Sequence, residues 1–388
     1  MRDDAIAADL EALDARDLRR SRRVVAGRQG AEVEIDGRRV LCFASNDYLG
    51  LAGDERLIRA SIAALERAGA GAAASPLISG HMELHDELER ELAEWLGCEA
   101  AVLFGSGYHA NIGTIAALVG PEDEIFSDAL NHASLIDGCR LARARVSIYP
   151  HRDTGALARS LGASRARRRL VVTDSVFSMD GDVAPLAEVA ELAARFGAWV
   201  MVDEAHATGV FGPEGAGLVA ALGLGERITV RMGTLGKALG GYGAFVAGSR
   251  ALIDWLVNRA RAYVYSTALP PAVVGAVRAA VAIARGEETR RERLWRNARR
   301  LHEGLVAAGL EPSPLESPIV PIVLGASRTA LDVSRRALAA GVLAPAIRPP
   351  TVPEGTARLR LTPIAMHTEE QIDRAVAAVA RALAEVRS

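Results

Sequence analysis

The sequence predicts an α/β protein with a large domain built on a mostly parallel sheet and a small C-terminal α+β domain. Short apolar runs alternate with helical stretches between about residues 83 and 250. These runs are almost continuously apolar, as in strands that are buried on both faces of a parallel sheet. After Pro312-Ser313-Pro314 the pattern changes to short strands that alternate with helices.

Residues 1–50 are predicted to form an N-terminal helix and hairpin segment. The pattern of residues 1–30 predicts a charged amphipathic helix. Residues 32–43 alternate in polarity around Asp36-Gly37, which is a hairpin signal. Residues 69–80 are rich in Gly, Ala and Ser, so they form either a flexible linker or a tightly packed loop over a ligand.

Residues 51–285 are assigned to the large domain and residues 286–388 to the small domain. The predicted strands of the large domain are residues 100–104, 124–127, 146–149, 170–173, 199–202, 228–231 and 244–247. Its predicted helices include residues 54–68, 83–96, 109–119 and 186–195, and a helical span covers residues 251–309. The predicted elements of the small domain are strands 319–324 and 358–361 and helices 329–340 and 368–386.

Composition and charge argue against several classes of protein. A net charge of −2 gives no field that would attract nucleic acid or an anionic membrane. No apolar run reaches the length of a membrane span, and the charged N-terminus does not resemble a signal peptide, so a cytoplasmic location is expected. Three widely spaced cysteines form neither a metal pattern nor a disulfide framework. His81 and His85 are interpreted as helix surface rather than zinc ligands, and no metal is expected.

Lys237 is the only lysine in the chain, and it stands in a glycine-rich stretch over residues 233–241. A lysine amine can lose its proton and form a Schiff base with an aldehyde, whereas a guanidinium stays charged and unreactive. Chance retention in an arginine-biased sequence is the plain alternative. The surrounding glycines and Thr234 favour a reactive role.

Polar loops follow several predicted strands directly, and ligands collect at the carboxyl ends of strands in open α/β sheets. Gly105-Ser106-Gly107-Tyr108 leads into a helix N-terminus, which suits a phosphate but also fits a NAD-binding turn. Asp203-Glu204-Ala205-His206 could hold a protonated ring nitrogen or merely cap a helix. Residues 175–182 could aim a hydroxyl at a ligand or form a simple turn.

An aldehyde-bearing cofactor accounts for these features together. Pyridoxal phosphate needs a Schiff-base lysine, a carboxylate at its pyridine nitrogen and a phosphate cradle. Lys237, Asp203 and the Gly107 turn supply one candidate each. His132 could stack on the ring, although a lone histidine is more often structural.

The motifs Asp203-Glu204-Ala205-His206, Phe177-Ser178-Met179-Asp180-Gly181-Asp182 and Thr234-Leu235-Gly236-Lys237 resemble those of the α-oxoamine synthases. These are pyridoxal-phosphate-dependent transferases of fold type I (aspartate aminotransferase-like) that join an amino acid to an acyl-CoA with release of CO₂. The resemblance extends from about residue 17 to the C-terminus. It implies the same fold and a homodimer with shared active sites.

The substrate is suggested by residues 346–353 and 356–362 and by Leu18-Arg19-Arg20. These stretches resemble family members of biotin synthesis, which use L-alanine and a pimeloyl thioester, carried by CoA or a carrier protein. Residues 234–241 are also similar to members that use glycine and acetyl-CoA. That activity and other α-oxoamine synthase activities stay open as alternatives, as does an unrelated NAD-binding Rossmann protein.

The resemblance also implies residue roles, and its catalytic candidates are Lys237, His132, Asp203 and His206. Lys237 would bind the cofactor and move the α-proton of the amino acid, and Asp203 would pair with the ring nitrogen. The further expected cofactor contacts are Gly107, Tyr108 and Thr234 at the phosphate, Ser178 and His206 at the phenolic oxygen, and Ser266 or Thr267 across the dimer interface. The expected substrate contacts are His132, Arg360 for the amino acid carboxylate, Arg19, Asn46 and Thr351 for the acyl group, and Arg348 for either.

Overall fold

The computed structural model describes residues 3–387, and these divide into two compact units. We call Asp47–Ser178 with Val183–Arg291 the large unit. We call Met1–Asn46, Met179–Asp182 and Glu292–Ser388 the small unit. The small unit therefore combines the N-terminal and C-terminal parts of the chain.

The helices and strands are numbered here in chain order. The helices are α1 (Asp4–Ala15), α2 (Glu55–Ala68), α3 (Glu83–Leu96), α4 (Gly107–Leu118), α5 (Ala133–Ala142), α6 (Thr154–Ala163), α7 (Leu186–Phe196), α8 (Leu218–Ala221), α9 (Arg250–Arg259), α10 (Arg261–Val264), α11 (Pro271–Gly286), α12 (Glu288–Ala307), α13 (Ser327–Ala339) and α14 (Glu369–Arg387). The strands are β1 (Val25–Ala26), β2 (Glu32–Ile35), β3 (Arg38–Cys42), β4 (Ala100–Phe104), β5 (Glu124–Asp128), β6 (Arg145–Tyr149), β7 (Arg169–Asp174), β8 (Trp199–Asp203), β9 (Val230–Thr234), β10 (Ala244–Gly248), β11 (Val320–Gly325), β12 (Val342–Leu343), β13 (Ala346–Ile347) and β14 (Ala357–Leu361).

The large unit is built on a seven-stranded sheet with the order β4-β10-β9-β8-β7-β5-β6. Strands β6, β5, β7, β8 and β9 are parallel, whereas β10 runs antiparallel to both of its neighbours. Apart from the edge strand β6, which is mostly exposed, the strands are buried along most of their length, which explains their apolar sequences. The predicted mostly parallel sheet is confirmed.

The parallel strands bring polar residues to one edge of this sheet. Strand β7 ends at Asp174 and β8 at Asp203, and these two carboxylates are register partners. Strand β9 ends at Thr234, three residues before the lysine. The predicted site residues at these strand ends are therefore close because of the sheet topology.

The predicted position of β9, residues 228–231, is wrong by two to three residues, since the strand covers Val230–Thr234. Gly233 lies inside it and weakens the strand signal in the sequence. The structure explains the glycine, because a Cβ there would lie 2.3 Å from the ring of Phe245.

The small unit contains two small sheets, β1-β2-β3-β12 and β11-β14-β13. The predicted hairpin is confirmed: Ile35 pairs with Arg38, and Asp36 and Gly37 have φ angles of 51° and 71°. Strand β12 pairs in parallel with β3, which joins the N-terminal segment to the C-terminal part.

Two further expectations are wrong. The helix predicted over residues 1–30 ends at Ala15. Because α1 buries no side chain, no packing contact stabilises a continuation of the helix through the arginines that follow. Residues 1 and 2 of that prediction lie outside the described part. His85 is not at the surface: it is buried, with Nε2 bonded to the Leu269 carbonyl oxygen at 2.8 Å and Nδ1 accepting from the Met82 N–H at 3.1 Å.

Within residues 3–387, no helix combines the length and apolarity needed to cross a membrane. The same residues contain no group of three or more His, Cys, Asp or Glu side chains arranged to hold a metal ion.

Candidate active site

Lys237 lies in the connection between β9 and β10, and its position is set by short-range backbone bonds. Its carbonyl oxygen accepts the N–H of Gly240 at 2.9 Å, and Leu235 N–H donates to the Gly243 oxygen at 2.9 Å. The lysine is half-buried, and its Nζ lies 3.1 Å from His206 Nε2. Two of the predicted catalytic residues are thus in direct contact.

The other ring nitrogen of His206 contacts Tyr48. The Tyr48 hydroxyl lies 2.6 Å from His206 Nδ1, and both side chains are buried. Tyr48 therefore orients the imidazole that faces Lys237. No motif in the sequence pointed to Tyr48, whose only local signal is an aromatic side chain in the polar stretch of residues 45–50 after the hairpin.

Asp203 ends β8 and is 3% exposed. Its Oδ1 accepts the Ala205 N–H at 2.8 Å, and its Oδ2 accepts from Asn111 Nδ2 at 2.8 Å. Donors to both oxygens fix the orientation of this carboxylate. Asn111 lies on α4, and no motif in the sequence pointed to it.

Asp174, the register partner of Asp203, has a different electrostatic state. Burial, and next the neighbouring Asp203 charge, raise the pKa of Asp174 well above its usual range. Its Oδ2 accepts the backbone N–H of His132 at 2.8 Å. The raised pKa favours the neutral form of Asp174, as expected when a second acid shares a buried region.

His132 caps the N-terminus of α5. Its Nδ1 lies 2.7 Å from Ser134 Oγ and 3.2 Å from the Ser134 backbone nitrogen. Burial lowers the pKa of the His132 imidazole, and Lys237 acts in the same direction against the opposing effect of Asp203. His132 is therefore neutral near pH 7.

The N-terminus of α4 adjoins the end of β9. Ser106 caps the helix by accepting the His109 N–H at 3.2 Å. A Cβ at Gly107 would lie 2.8 Å from Thr234 Cγ2, so only glycine allows this close approach. Tyr108 is partly exposed, and its hydroxyl donates to Asp137 Oδ2 at 2.7 Å.

The remaining cofactor candidates also belong to the large unit. Ser178 is half-buried in the loop that follows β7. Ser266 and Thr267 lie between α10 and α11 and line a small cavity with His81, His85 and Glu89. Their predicted contact with the cofactor of a partner subunit stays a prediction.

The substrate candidates Arg19, Asn46, Arg348, Thr351 and Arg360 all belong to the small unit, where they form two groups. Arg360 on β14 donates through Nη1 to Asn46 Oδ1 at 3.2 Å and to Thr362 Oγ1 at 3.1 Å. In the second group, Arg348 donates to the carbonyl oxygens of Asp17 and Arg19, and Arg20 Nη2 donates to Thr351 Oγ1 at 3.1 Å.

The large-unit residues fit pyridoxal phosphate. The cofactor requires an amine, a buried carboxylate and a phosphate cradle. Lys237 provides the amine, and Asp203 provides a carboxylate whose orientation is fixed by donors to both oxygens. The α4 N-terminus provides backbone N–H groups beside Gly107, where the missing side chain leaves room.

Comparison with known proteins agrees with this arrangement. The sequence model of aminotransferase class I and II matches residues 38–379. The 8-amino-7-oxononanoate synthase of Anaeromyxobacter dehalogenans strain 2CP-1 is 51% identical over 383 residues, which are 99% of this chain and 96% of the relative. That of Geobacter metallireducens is 50% identical over 379 residues, or 97% of each chain. The chain belongs to the 8-amino-7-oxononanoate synthase family.

Solved structures support the family assignment. A serine palmitoyltransferase variant from S. paucimobilis, solved with bound pyridoxal phosphate and myriocin, has a TM-score of 0.94 and 32% identity, covering 100% of this chain and 98% of its own. An 8-amino-7-oxononanoate synthase from Francisella tularensis has a TM-score of 0.77 and 27% identity, and the match covers 90% of this chain and 99% of that structure's chain. The predicted fold type I, the pyridoxal phosphate cofactor and the acyltransferase class are confirmed, and the NAD-binding alternative is rejected.

Proposed function

We propose that this protein condenses a pimeloyl thioester with L-alanine to form 8-amino-7-oxononanoate, with release of CO₂ and the thiol carrier, as a step of biotin synthesis. The observation that carries the proposal is the identity of 50–51% over nearly the whole chain to named 8-amino-7-oxononanoate synthases. The Lys237–His206 contact beside Asp203 supports it, because the reaction needs a basic amine near a protonated ring nitrogen.

Bound pyridoxal phosphate supplies an electron sink next to the α-carbon of alanine. Lys237 holds the cofactor between turnovers and takes the α-proton at Nζ, for which its amine must be neutral. His206 Nε2 lies 3.1 Å from Nζ and can exchange a proton with it. Tyr48 keeps the His206 ring in place through its 2.6 Å contact with Nδ1.

The cofactor is held in this proposal by Asp203, His132, Ser178 and the N-terminus of α4. The charge of Asp203 keeps the proton on the ring nitrogen, and neutral His132 stacks on the ring. Gly107, Tyr108 and Thr234 bind the phosphate, and Ser178 and His206 bind the phenolic oxygen. The hydrogen bonds that hold Asp203, His132 and His206 support their roles, since preorganised dipoles cost no rearrangement during the reaction.

The small-unit arginines are our candidates for the substrates. Arg360 binds the alanine carboxylate, a task that suits a guanidinium held by Asn46 and Thr362. Arg348, Arg19 and Thr351 bind the pimeloyl thioester, and Asn46 contacts the acyl group. The cytoplasmic location also stays a prediction.

We further infer a homodimer with shared active sites. Large exposed apolar residues lie on the large unit, among them Ile78 (81% exposed), Tyr265 (72%) and Tyr242 (57%). These side chains are candidates for burial against a partner subunit, and Tyr265 directly precedes Ser266 and Thr267.

Mixed dimers test this inference. Lys237→Ala chains and chains with both Ser266→Ala and Thr267→Ala are each expected to be impaired. A dimer containing one of each has one intact site if sites are shared, so activity reappears on mixing. Sedimentation as a monomer, or mixed dimers without recovered activity, would contradict the shared site.

A substrate panel tests the reaction itself, with thiol release as the signal. The pairs are pimeloyl-CoA with L-alanine, acetyl-CoA with glycine, and palmitoyl-CoA with L-serine. The second pair represents the alternative suggested by residues 234–241. We expect the highest kcat/KM for the first pair, and a higher value for either other pair would reject the proposal.

A further inference from the structure

Asp203 and His132 are connected by two side chains to which the sequence motifs did not point. Asn111 Nδ2 lies 2.8 Å from Asp203 Oδ2 and 2.8 Å from Ser134 Oγ. Ser134 Oγ in turn lies 2.7 Å from His132 Nδ1. Asn111 and Ser134 are 0% and 1% exposed, so water does not compete for the bonds that join Asp203, Asn111 and Ser134, whereas His132 is itself exposed.

These hydrogen bonds can run in one direction only. A carboxylate oxygen accepts hydrogen bonds, so Asn111 turns its NH₂ group toward Asp203 Oδ2, and the same group donates to Ser134 Oγ. The Ser134 backbone N–H also points at His132 Nδ1, at 3.2 Å, and a backbone N–H cannot reverse. Nδ1 is therefore an acceptor for both Ser134 groups. Neutral His132 must carry its hydrogen on Nε2.

The remaining atom of the Asn111 amide argues against a purely structural role. Among residues 3–387, Asn111 Oδ1 is buried without a hydrogen-bond partner. A buried unsatisfied acceptor destabilises a fold, and a leucine would fill a similar volume without that penalty. The presence of asparagine is best explained by its two donated bonds.

We propose that Asn111 and Ser134 are positioning residues that fix the Asp203 carboxylate toward the pyridine nitrogen and fix His132 in its Nε2–H form. The two groups assigned to the pyridine ring then act as one rigid unit. His132 has no free lone pair at Nδ1 and donates through Nε2, which leaves Lys237 as the base. This inference rests on the proposed function only for the pyridoxal phosphate site.

Four variants separate positioning from packing. Asn111→Leu removes both donated bonds, Ser134→Ala removes the hydroxyl, and Ser134→Thr restores it. Thr114→Val is the matched control, because Thr114 lies on the same helix, is equally buried, and has an Oγ1 atom without a partner among the described residues.

The first readout is the ¹⁵N signal of the His132 imidazole in holoprotein labelled with ¹⁵N-histidine, recorded without substrates and assigned with His132→Asn. The wild-type protein and Thr114→Val are expected to show a protonated Nε2 and a bare Nδ1. Asn111→Leu and Ser134→Ala are expected to shift the Nδ1 signal toward a mixture of tautomers. Ser134→Thr is expected to retain the wild-type signal.

The second readout is the dissociation constant of pyridoxal phosphate, titrated into apoprotein by its absorbance. Loss of a hydrogen bond to a charged group predicts an increase of about tenfold or more for Asn111→Leu. Thr114→Val is expected to keep the wild-type constant.

A wild-type signal with hydrogen on Nδ1 would overturn the proposal. The proposal would also be overturned if Asn111→Leu and Ser134→Ala gave the same ¹⁵N signal and the same dissociation constant as Thr114→Val. This holds whether all three variants differ from the wild-type protein or none does. Neither readout involves alanine or a thioester. A failed condensation with the expected ¹⁵N signals would therefore reject the proposed reaction and leave the positioning role intact.

Discussion

The cofactor candidates of the large unit and the substrate candidates of the small unit differ in how the chain holds them. Asp203, His132 and His206 form hydrogen bonds with buried partners. Asp203 is only 3% exposed and His206 only 5%. In the small unit, Arg19 has 48% of its side chain exposed and is paired with Asp14. Thr351 is also exposed.

This difference follows from topology. Adjacent parallel strands place Asp174 and Asp203 in register, so their positions depend on the core of the sheet. Arg19 follows α1 outside any helix or strand, and Thr351 follows the short strand β13. Arg360 is intermediate, since it lies on β14 and is 5% exposed. We therefore expect substitutions of the large-unit residues to lower activity most, a substitution of Arg360 to have an intermediate effect, and a substitution of Thr351 to have the smallest.

Lys237 should give the largest effect. Lys237→Ala and Lys237→Arg are expected to abolish turnover, because neither side chain supplies an amine that can bind the aldehyde and then take a proton. Thiol release with pimeloyl-CoA and L-alanine measures turnover, and circular dichroism checks that the fold is intact. Wild-type turnover by either variant would refute the assignment.

The neighbouring acids Asp203 and Asp174 give the sharpest contrast within the large unit. Asp203→Asn removes the charge at the ring nitrogen and is expected to lower kcat by about 100-fold or more. Asp174→Asn should have a much smaller effect, because the raised pKa favours the neutral form of Asp174 and asparagine can still accept the His132 N–H. Steady-state kinetics of both variants at pH 7 decide this. Equal losses in the two variants would show that the charges are misassigned.

Arg360→Lys should have an intermediate effect. Lysine keeps the charge but loses the bidentate geometry, so KM for L-alanine is expected to rise about tenfold with a smaller change in kcat. Arg300→Lys is the control, because Arg300 forms an exposed ion pair with Asp373 that should contribute little. An unchanged KM for alanine in Arg360→Lys would remove this residue from the carboxylate site.

Thr351→Val should have the smallest effect. The variant loses one exposed hydrogen bond with Arg20, so KM for the pimeloyl thioester is expected to rise only about two- to threefold. Initial rates over a range of thioester concentrations measure this change. A loss as large as that of Asp203→Asn would contradict the proposed difference between the two units.

The sequence predicted those parts that depend on local signals. Continuous apolar strands indicated the parallel sheet, Asp36-Gly37 indicated the hairpin, and the chemistry of a lone lysine pointed to Lys237. The pairing of β12 with β3 was not predictable, because it joins residues that are about 300 positions apart and both strands are short.

The supporting residues of the site were also missed. Tyr48, Asn111 and Ser134 acquire their roles only through partners that are distant in sequence or on other elements. Asn111 lies within an apolar helix, and Asp174 continues a strand that was expected to end at residue 173. A local pattern carries no signal for such contacts, whereas the fold brings them together.

The central claim is that this chain performs the decarboxylative condensation of L-alanine with a pimeloyl thioester. The most direct measurement supplies pimeloyl-CoA and L-alanine labelled with ¹³C in the carboxyl group, and follows labelled CO₂ and free CoA together. We expect one labelled CO₂ for each CoA, with 8-amino-7-oxononanoate as the product, and we expect release of neither CO₂ nor CoA by Lys237→Ala. Release of CoA without labelled CO₂, or the same release in Lys237→Ala, would contradict it.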